Sequence, residues 1–249
     1  MESIFFPSNF YIRCYRIFLY TIFMKKNIKK NSISTIIFDV DGILVDTVSL
    51  HFRAWQKAFK EEGILFEKPE YQKINGIPRD AGIQIILQND ASPDRILKIG
   101  NRKQRYYLDF LTKTPPQPLP GITYFLSQAR QAGLRIAAAS SSKNAVTVLT
   151  AAQLIACFDV VVTGYDFQYP KPHPDIFLTT STLLGVDPAL TLVVEDAVNG
   201  VTAAIVGGFY CVAVANSEST NDLYAAGASI VVPTTNELTL DLFHKISTA

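Results

Sequence analysis

Two pairs of acidic residues follow short apolar runs at widely separated points of the chain. Asp39 and Asp41 come after the first run, and Glu195 and Asp196 come after a later one. An aspartate carboxylate can attack phosphorus to form an aspartyl-phosphate, and a second carboxyl group nearby can protonate the departing oxygen. Aspartate also commonly caps turns, and for Asp39 alone that interpretation is the better one. The two pairs together favour phosphoryl transfer.

The same carboxylates could bind a divalent cation. Mg²⁺ prefers hard oxygen ligands in octahedral geometry. A cluster of carboxylates without a cation would repel itself. Asp39, Asp196, Glu195 and the Asp41 carbonyl would supply oxygens from two strand ends. We therefore expect Mg²⁺ as a cofactor.

Phosphate also needs donors, and two further segments offer them. One segment lies at the start of a helical pattern and consists of Ser140, Ser141, Ser142, Lys143 and Asn144. Free backbone N–H groups at the start of a helix favour anions. Taken alone, a serine-rich helix start is more often a cap. The other donor is Lys171, whose direction is restricted by the prolines of Tyr169–Pro174. An exposed lysine near prolines would mean little by itself.

Short apolar runs alternate with helical patterns along most of the chain. This alternation predicts an α/β fold, a parallel sheet covered by helices. In open α/β sheets, ligands bind beyond the carboxyl ends of the strands. The expected strands are Thr35–Phe38, Arg135–Ala139, Val160–Thr163, Leu192–Val194, Cys211–Val214 and Ser229–Val232.

The alternation is interrupted once, between Thr47 and about Pro120, where the pattern is helical and no strand is expected. Its first helix carries an apolar stripe formed by Val48, Phe52, Trp55 and Phe59. The stripe indicates core packing rather than ligand contact. Gly63 is expected to end this helix. Four prolines between 115 and 120 end the segment. We predict a tail at 1–34, a core at 35–47 and 119–249, and an inserted helical cap at 48–118.

Composition limits the classes of function. The chain has 249 residues, of which 48% are hydrophobic, enough for one core with an insertion. Beyond residue 34 there are 17 basic and 21 acidic residues, so no nucleic-acid-binding surface is indicated. Cys14, Cys157 and Cys211 show no paired spacing, which predicts neither disulfides nor a zinc site but a reducing, cytoplasmic location.

Residues 1–34 differ from the rest, with six basic residues and one acidic residue. Arg13 and Arg16 interrupt the segment, and its uninterrupted apolar run, Ile17–Phe23, is too short to span a membrane. There is no small-residue cleavage site for secretion. An organelle presequence is one interpretation. We favour a disordered tail or a true start at Met24.

The four motifs, in this order, resemble the haloacid dehalogenase superfamily, and the resemblance runs from Thr35 to the C-terminus. It rests on Asp39–Thr47, Ser140, Lys171 and Glu195–Asp196. Finer features are similar to a branch that interconverts sugar phosphates, namely His51–Trp55, Gly76–Arg79 and Ser142–Asn144. The resemblance implies a Rossmann-like parallel sheet with an inserted α-helical cap.

The resemblance also implies roles for individual residues. Asp39 would be the nucleophile and Asp41 the general acid and base, and both would bind Mg²⁺ with Glu195 and Asp196. The transferred phosphoryl group would be held by Ser140, Ser141 and Lys171. The second phosphate of a bisphosphorylated sugar would be held by Arg79, Ser142, Lys143 and Asn144.

Three cap-side roles follow from the same resemblance. Thr47 and His51 would position Asp41, and Lys103 would contact the sugar. Without the resemblance, Arg79 would be a solvated charge and His51 a helix histidine with satisfied hydrogen bonds. The chain departs from the family pattern at Pro78, which affects the shape of the cap loop, and at Ser141, where alanine is common.

The function implied is the interconversion of β-D-glucose 1-phosphate and D-glucose 6-phosphate, through an aspartyl-phosphate enzyme and a 1,6-bisphosphate. The alternative is a magnesium-dependent phosphatase for sugar or polyol phosphates, which shares every step up to the aspartyl-phosphate. A non-catalytic binding relative would have no reason to keep Asp39, Asp41 and the Glu195–Asp196 pair. We expect a small sugar phosphate as the partner, no nucleic acid or membrane, and a monomer.

Overall fold

The computed structural model of the protein describes residues 33–216 and 218–248. Six strands form one sheet in the order β3-β2-β1-β4-β5-β6, and every pair is parallel. Each predicted strand is present, so the α/β class is confirmed. The strands are β1 Thr35–Asp39, β2 Arg135–Ala139, β3 Val160–Val162, β4 Thr191–Glu195, β5 Tyr210–Val214 and β6 Ile230–Val232.

The first strand is central, and its position sets the location of the site. All five of its residues are buried. Ile36 and Phe38 pack into the apolar cluster on one face of the sheet, and Ile37 packs into the cluster on the other face. Because β1 pairs with β2 on one side and with β4 on the other, the crevice where the strand order reverses opens beyond its carboxyl end.

Ten α-helices and four 3₁₀ turns occur in the described residues. The helices are α1 Val48–Lys60, α2 Lys68–Ile74, α3 Arg79–Leu87, α4 Pro93–Lys113, α5 Ile122–Gln131, α6 Ala145–Ala151, α7 Asp175–Leu184, α8 Val198–Val206, α9 Thr220–Ala225 and α10 Leu240–Thr248. The 3₁₀ turns are Gln88–Asp90, Ile155–Cys157, Pro188–Leu190 and Thr235–Glu237.

The segment between β1 and β2 begins with four helices, α1 to α4, which form the cap. They enclose a small aromatic core of their own, in which the ring of Phe59 stacks on Phe66 at 4.8 Å and on Trp55 at 5.5 Å. Of the predicted stripe, Trp55 and Phe59 are buried and Phe52 packs at the edge of this cluster. Helix α1 ends at Lys60, and Gly63 follows with a positive φ of 72°.

The cap is joined to the core by two chain segments that contact each other. Val45 and Pro118 form an antiparallel bridge. The Leu119 amide donates to the Leu44 carbonyl with an N–O distance of 2.9 Å. Backbone hydrogen bonds between the two connections restrict how the cap moves relative to the sheet. The helices of the cap therefore stand over the carboxyl end of β1.

The predicted tail at 1–34 stays a prediction, since 1–32 lie outside the described residues. Ile33 packs against the core. The Ser34 amide donates to the Leu190 carbonyl with an N–O distance of 3.0 Å. Ile33 and Ser34 therefore contact the core, although the predicted core begins at position 35. Within the described ranges, no helix has the length and apolar character needed to cross a membrane.

Candidate active site

Asp41 lies at the centre of a hydrogen-bond network. Thr47 donates its hydroxyl to Oδ1, Ser140 donates to Oδ2 at 3.0 Å, and His51 Nε2 lies 3.4 Å from Oδ1. Burial opposes ionisation of Asp41, but His51, Thr47 and Ser140 together lower its pKa to about 2. Asp41 is therefore a carboxylate at neutral pH in the absence of ligand, ready to accept a proton.

Thr47 illustrates how the local fold serves this network. It occupies the N-cap position of α1, yet its side chain makes no capping bond. The hydroxyl contacts Asp41 instead, and Thr47 is fully buried. The predicted role of Thr47 in positioning Asp41 is consistent with this contact.

Lys171 joins the two acidic motifs. Its ammonium group lies 2.6 Å from Asp39 Oδ1 and also donates to Glu195, and its side chain is only 3% exposed. Burial alone would lower the pKa of Lys171, but Asp39 and Glu195 raise it well above its ordinary value. The lysine is thus charged and held in place. Its predicted contact with the transferred phosphoryl group stays a prediction.

Even with this lysine, the site carries an excess of negative charge. Burial raises the pKa of Asp39 to about 7, against the attraction of Lys171 and with repulsion from Glu195 and Asp41. Burial, Glu195 and Asp39 raise the pKa of Asp196 well above its ordinary value. Two carboxyl groups that resist ionisation side by side indicate a place where a cation would be stabilising.

The donors at this place suit Mg²⁺ in chemistry, because Asp39 and Asp196 are buried carboxylates close enough to repel each other. Glu195 is already engaged: Lys171 contacts Oε1, and Oε2 accepts the amides of Asp196 and Ala197 at 2.8 Å each. Among the described residues, no group of three or more acidic, histidine or cysteine side chains is preformed as a metal site. The four-carboxylate ligand set stays a prediction.

Glycine at position 42 permits this crowding. Its φ is +95°, a region that favours glycine, and a Cβ there would overlap the Asp196 carboxylate. Its carbonyl accepts a hydrogen bond from the Asn216 side chain at 2.5 Å. The turn after Asp41 can therefore fold against Asp196, with Asn216 fixing the turn from the end of β5.

The serine-rich segment after β2 is organised by its own side chains. The Ser142 amide donates to Ser140 Oγ at 2.9 Å, and the Asn144 amide donates to Ser142 Oγ at 3.2 Å. The hydroxyl of Ser141 is buried and has no hydrogen-bond partner among the described residues. A buried hydroxyl without a partner is costly unless a ligand binds it. The Lys143 ammonium lies 4.7 Å from the ring centre of Tyr165.

The cap contributes three predicted residues. Lys103 Nζ lies 2.9 Å from His51 Nδ1, and burial lowers the pKa of Lys103 to about 7. Burial and Lys103 also lower the pKa of His51, against Asp41. Arg79, the first residue of α3, pairs with Asp80 at 2.7 Å and reaches the Gly100 carbonyl at 3.5 Å.

One cleft of about 300 Å³ between cap and core brings these groups together. All the predicted site residues except Thr47 line it: Asp39, Asp41, His51, Arg79, Lys103, Ser140, Ser141, Ser142, Lys143, Asn144, Lys171, Glu195 and Asp196. Trp55, expected to be core, is 5% exposed and also lines the cleft.

Several cleft residues escaped the sequence analysis. Gln104 and Tyr71 line the cleft from the cap and Phe167 from the core, and Asn216 fixes the Gly42 turn. Gln104 follows Lys103 directly, and that adjacency was the one available signal. For Tyr71, Phe167 and Asn216 no local pattern distinguishes them from other surface or core residues.

Residues 36–214 match the family of haloacid dehalogenase-like hydrolases. The chain belongs to this family of enzymes, and the resemblance stated from its motifs is confirmed.

Within this family, similar proteins include mutases and phosphatases. The β-phosphoglucomutase of Bacillus subtilis is 33% identical over 216 residues, 84% of this chain and 93% of that protein. A crystal structure of β-phosphoglucomutase from Clostridium difficile has a TM-score of 0.80 and 28% identity, covering 87% of this chain and 97% of that one. A phosphorylated carbohydrates phosphatase of Thermotoga maritima is 29% identical over 175 residues, 68% of this chain and 79% of that protein.

Proposed function

We propose that this chain is a β-phosphoglucomutase, which interconverts β-D-glucose 1-phosphate and D-glucose 6-phosphate. The observation that carries the proposal is that one cleft contains two sets of groups whose chemistry suits phosphate. One set surrounds Asp39, and the other consists of Arg79 on the cap with Ser142–Asn144 on the core. A bisphosphate that must be held in either orientation needs both sets, whereas a monophosphate hydrolysed by water needs one.

In this proposal Asp39 attacks the phosphoryl group of the 1,6-bisphosphate and becomes an aspartyl-phosphate. Asp41 protonates the departing sugar oxygen, and it accepts a proton from the sugar hydroxyl that attacks in the reverse direction. Its pKa of about 2 suits the accepting step, and the proton taken from the attacking hydroxyl is the one that Asp41 returns to a departing oxygen. Lys171 keeps the carboxylate of Asp39 in place through its 2.6 Å contact with Oδ1.

Further positive charge is needed around the phosphoryl oxygens. Mg²⁺ bound by Asp39, Asp196 and the Asp41 carbonyl, with Glu195 as the family pattern implies, would supply it. Lys171 and the Ser140–Ser141 segment would provide the hydrogen-bond donors. Ser141 has a buried hydroxyl with no partner among the described residues, which supports this role.

The two candidate functions differ in which acceptor reaches the aspartyl-phosphate. A closed cap excludes water and leaves the sugar hydroxyl as acceptor. The phosphatase is favoured by one observation, the similarity to the Thermotoga maritima protein named as a phosphatase. The second phosphate-binding set and the greater identity to the Bacillus subtilis mutase support the mutase.

The deciding experiment supplies β-glucose 1-phosphate, Mg²⁺ and a trace of β-glucose 1,6-bisphosphate to the purified chain. Glucose 6-phosphate and inorganic phosphate are measured in the same reaction. We expect glucose 6-phosphate without matching phosphate release, and no product from Asp39→Asn. Phosphate release without glucose 6-phosphate would refute the mutase and favour the phosphatase.

A matched pair of cap variants tests the second phosphate site. Arg79→Ala removes a cleft guanidinium, and we expect kcat/KM to fall ~100-fold or more, since charge-assisted bonds to phosphate are strong. Arg105→Ala removes a cap arginine that is 67% exposed and pairs with Glu61, outside the cleft. We expect it to act as wild type. Equal effects of the two substitutions would contradict the assignment of Arg79.

A further inference from the structure

Gln104 and Asn144 form a reciprocal amide pair across the boundary between cap and core. Gln104 Nε2 donates to Asn144 Oδ1 at 2.7 Å, and Asn144 Nδ2 donates to Gln104 Oε1 at 3.1 Å. Both side chains are half-buried, and both line the cleft. Gln104 belongs to the cap helix α4, whereas Asn144 precedes the core helix α6.

We propose that Gln104 is a positioning residue that fixes Asn144 for the second phosphate and fastens the cap to the core. We call this pair, Gln104 and Asn144, the amide clasp. The proposal deepens the proposed function, because it concerns the same second phosphate site.

The pair holds the Asn144 side chain in one orientation. An asparagine amide has two N–H donors and one carbonyl acceptor. Gln104 takes one donor and supplies the partner for the acceptor, so the amide cannot flip without losing both bonds. One N–H of Asn144 remains for a phosphate oxygen. The backbone beneath it is fixed too, because the Asn144 amide donates to Ser142 Oγ at 3.2 Å.

Gln104 shares a face of α4 with two other residues that contact groups at the cleft. Residues at i, i+3 and i+4 share one face of a helix, and this face of α4 includes Gly100, Lys103 and Gln104. Lys103 contacts His51, and Gly100 accepts from Arg79. A Cβ on Gly100 would lie 2.9 Å from Arg79 Nε. The clasp therefore anchors to the core the same helical turn that supports Arg79 and Lys103.

Fastening the cap has a predictable consequence for the choice of acceptor. The closed cap excludes water from the aspartyl-phosphate, so weaker fastening increases its hydrolysis. Two neutral hydrogen bonds, each of ordinary net strength, correspond to a ~30-fold change in the ratio of closed to open forms. Loss of the clasp should therefore raise KM by up to ~30-fold and raise the phosphate released per glucose 6-phosphate formed. The turnover number kcat should change less.

The test uses Trp55, the chain's single tryptophan, which lines the cleft and is 5% exposed. Acrylamide quenching of its fluorescence measures how often the cleft opens. Gln104→Leu removes both bonds at similar size, and Gln104→Ala does so without any risk of overpacking. Gln84→Leu changes an exposed cap glutamine outside the cleft and serves as the matched control. Thermal unfolding of each variant verifies the fold.

We expect both Gln104 variants, but not Gln84→Leu, to show several-fold stronger quenching and the changes in KM and phosphate release. Quenching equal to that of Gln84→Leu would overturn the clasp, whatever the activity. Stronger quenching with unchanged KM and phosphate release would overturn the positioning role. If the wild-type chain releases only phosphate, the proposed function is wrong, and the quenching comparison still decides whether Gln104 fastens the cap.

Discussion

Gly200 lies within helix α8, where alanine would ordinarily be the better residue by ~1 kcal/mol. At this position, however, a Cβ would overlap the carboxylate of Glu195. That carboxylate is 1% exposed, contacts Lys171 and accepts two backbone amides at 2.8 Å each. We predict that Gly200→Ala destabilises the protein, because the methyl group displaces Glu195 from these partners.

The magnitude follows from what Glu195 would lose. Breaking a buried ion pair by removing one partner costs ~3–5 kcal/mol. Subtracting the ~1 kcal/mol gained from helix propensity leaves a net loss of ~2–4 kcal/mol in the free energy of unfolding. Because Lys171 also holds Asp39, we expect the same substitution to reduce phosphoryl transfer.

Urea denaturation followed by circular dichroism measures the effect, and a second background isolates its cause. In Glu195→Ala there is no carboxylate to displace, so adding Gly200→Ala should stabilise by ~1 kcal/mol. The sign of the Gly200→Ala effect should therefore reverse between the two backgrounds. A neutral or stabilising effect in the wild-type background would refute the argument that the glycine is required for the Glu195–Lys171 pair.

Two further predictions concern pH. Burial lowers the pKa of Lys103 from 10.5 to about 7. The unfolded chain therefore binds more protons than the folded protein between about pH 7 and pH 10.5, and the free energy of unfolding rises with pH across this window. Lys103→Met should be more stable than wild type at pH 6, by on the order of 2 kcal/mol. Urea titrations at pH 6 and pH 10 measure this, and a difference independent of pH would contradict it. Burial raises the pKa of Asp39 from 3.8 to about 7, so chelator-treated protein should lose on the order of 2–4 kcal/mol between pH 4 and pH 7. Mg²⁺ should restore the lost stability, which calorimetry would measure. Stability that does not change with pH in the absence of Mg²⁺ would count against an excess of negative charge at the site.

The sequence predicted the sheet well because its strands are buried on both sides. The strand Arg135–Ala139 is a continuous apolar run after its first residue, with polar residues following its carboxyl end, and the prediction matches the observed bounds. The positions of Asp39, Asp41 and the Glu195–Asp196 pair then follow from topology, since parallel strands end at one edge. Motif order along the chain and strand order in the sheet supplied most of the site.

What the sequence did not predict depends on contacts between distant segments. Gln104 pairs with a residue 40 positions away, and Asn216 reaches the carbonyl of a residue 174 positions away. Neither residue has a neighbour pattern that indicates its partner. The same holds for Gly200, whose need for a missing side chain is visible only once Glu195 is placed beside α8. Close packing between elements carries this information, and local periodicity does not.

The structure also indicates where mutase and phosphatase would diverge. In the proposed mechanism Asp39, Asp41 and Lys171 would serve either reaction, because both would form the same aspartyl-phosphate. Under the proposed function, the residues that distinguish the acceptors would include cap residues, and α4 makes three contacts at the cleft: Gly100 accepts a hydrogen bond from Arg79, Lys103 contacts His51, and Gln104 pairs with Asn144 of the core. One helical turn would thus link the three proposed events: binding of the second phosphate, positioning of Asp41 through His51, and closure over the site. A substrate with two phosphates would stabilise all three at once, and water would stabilise none.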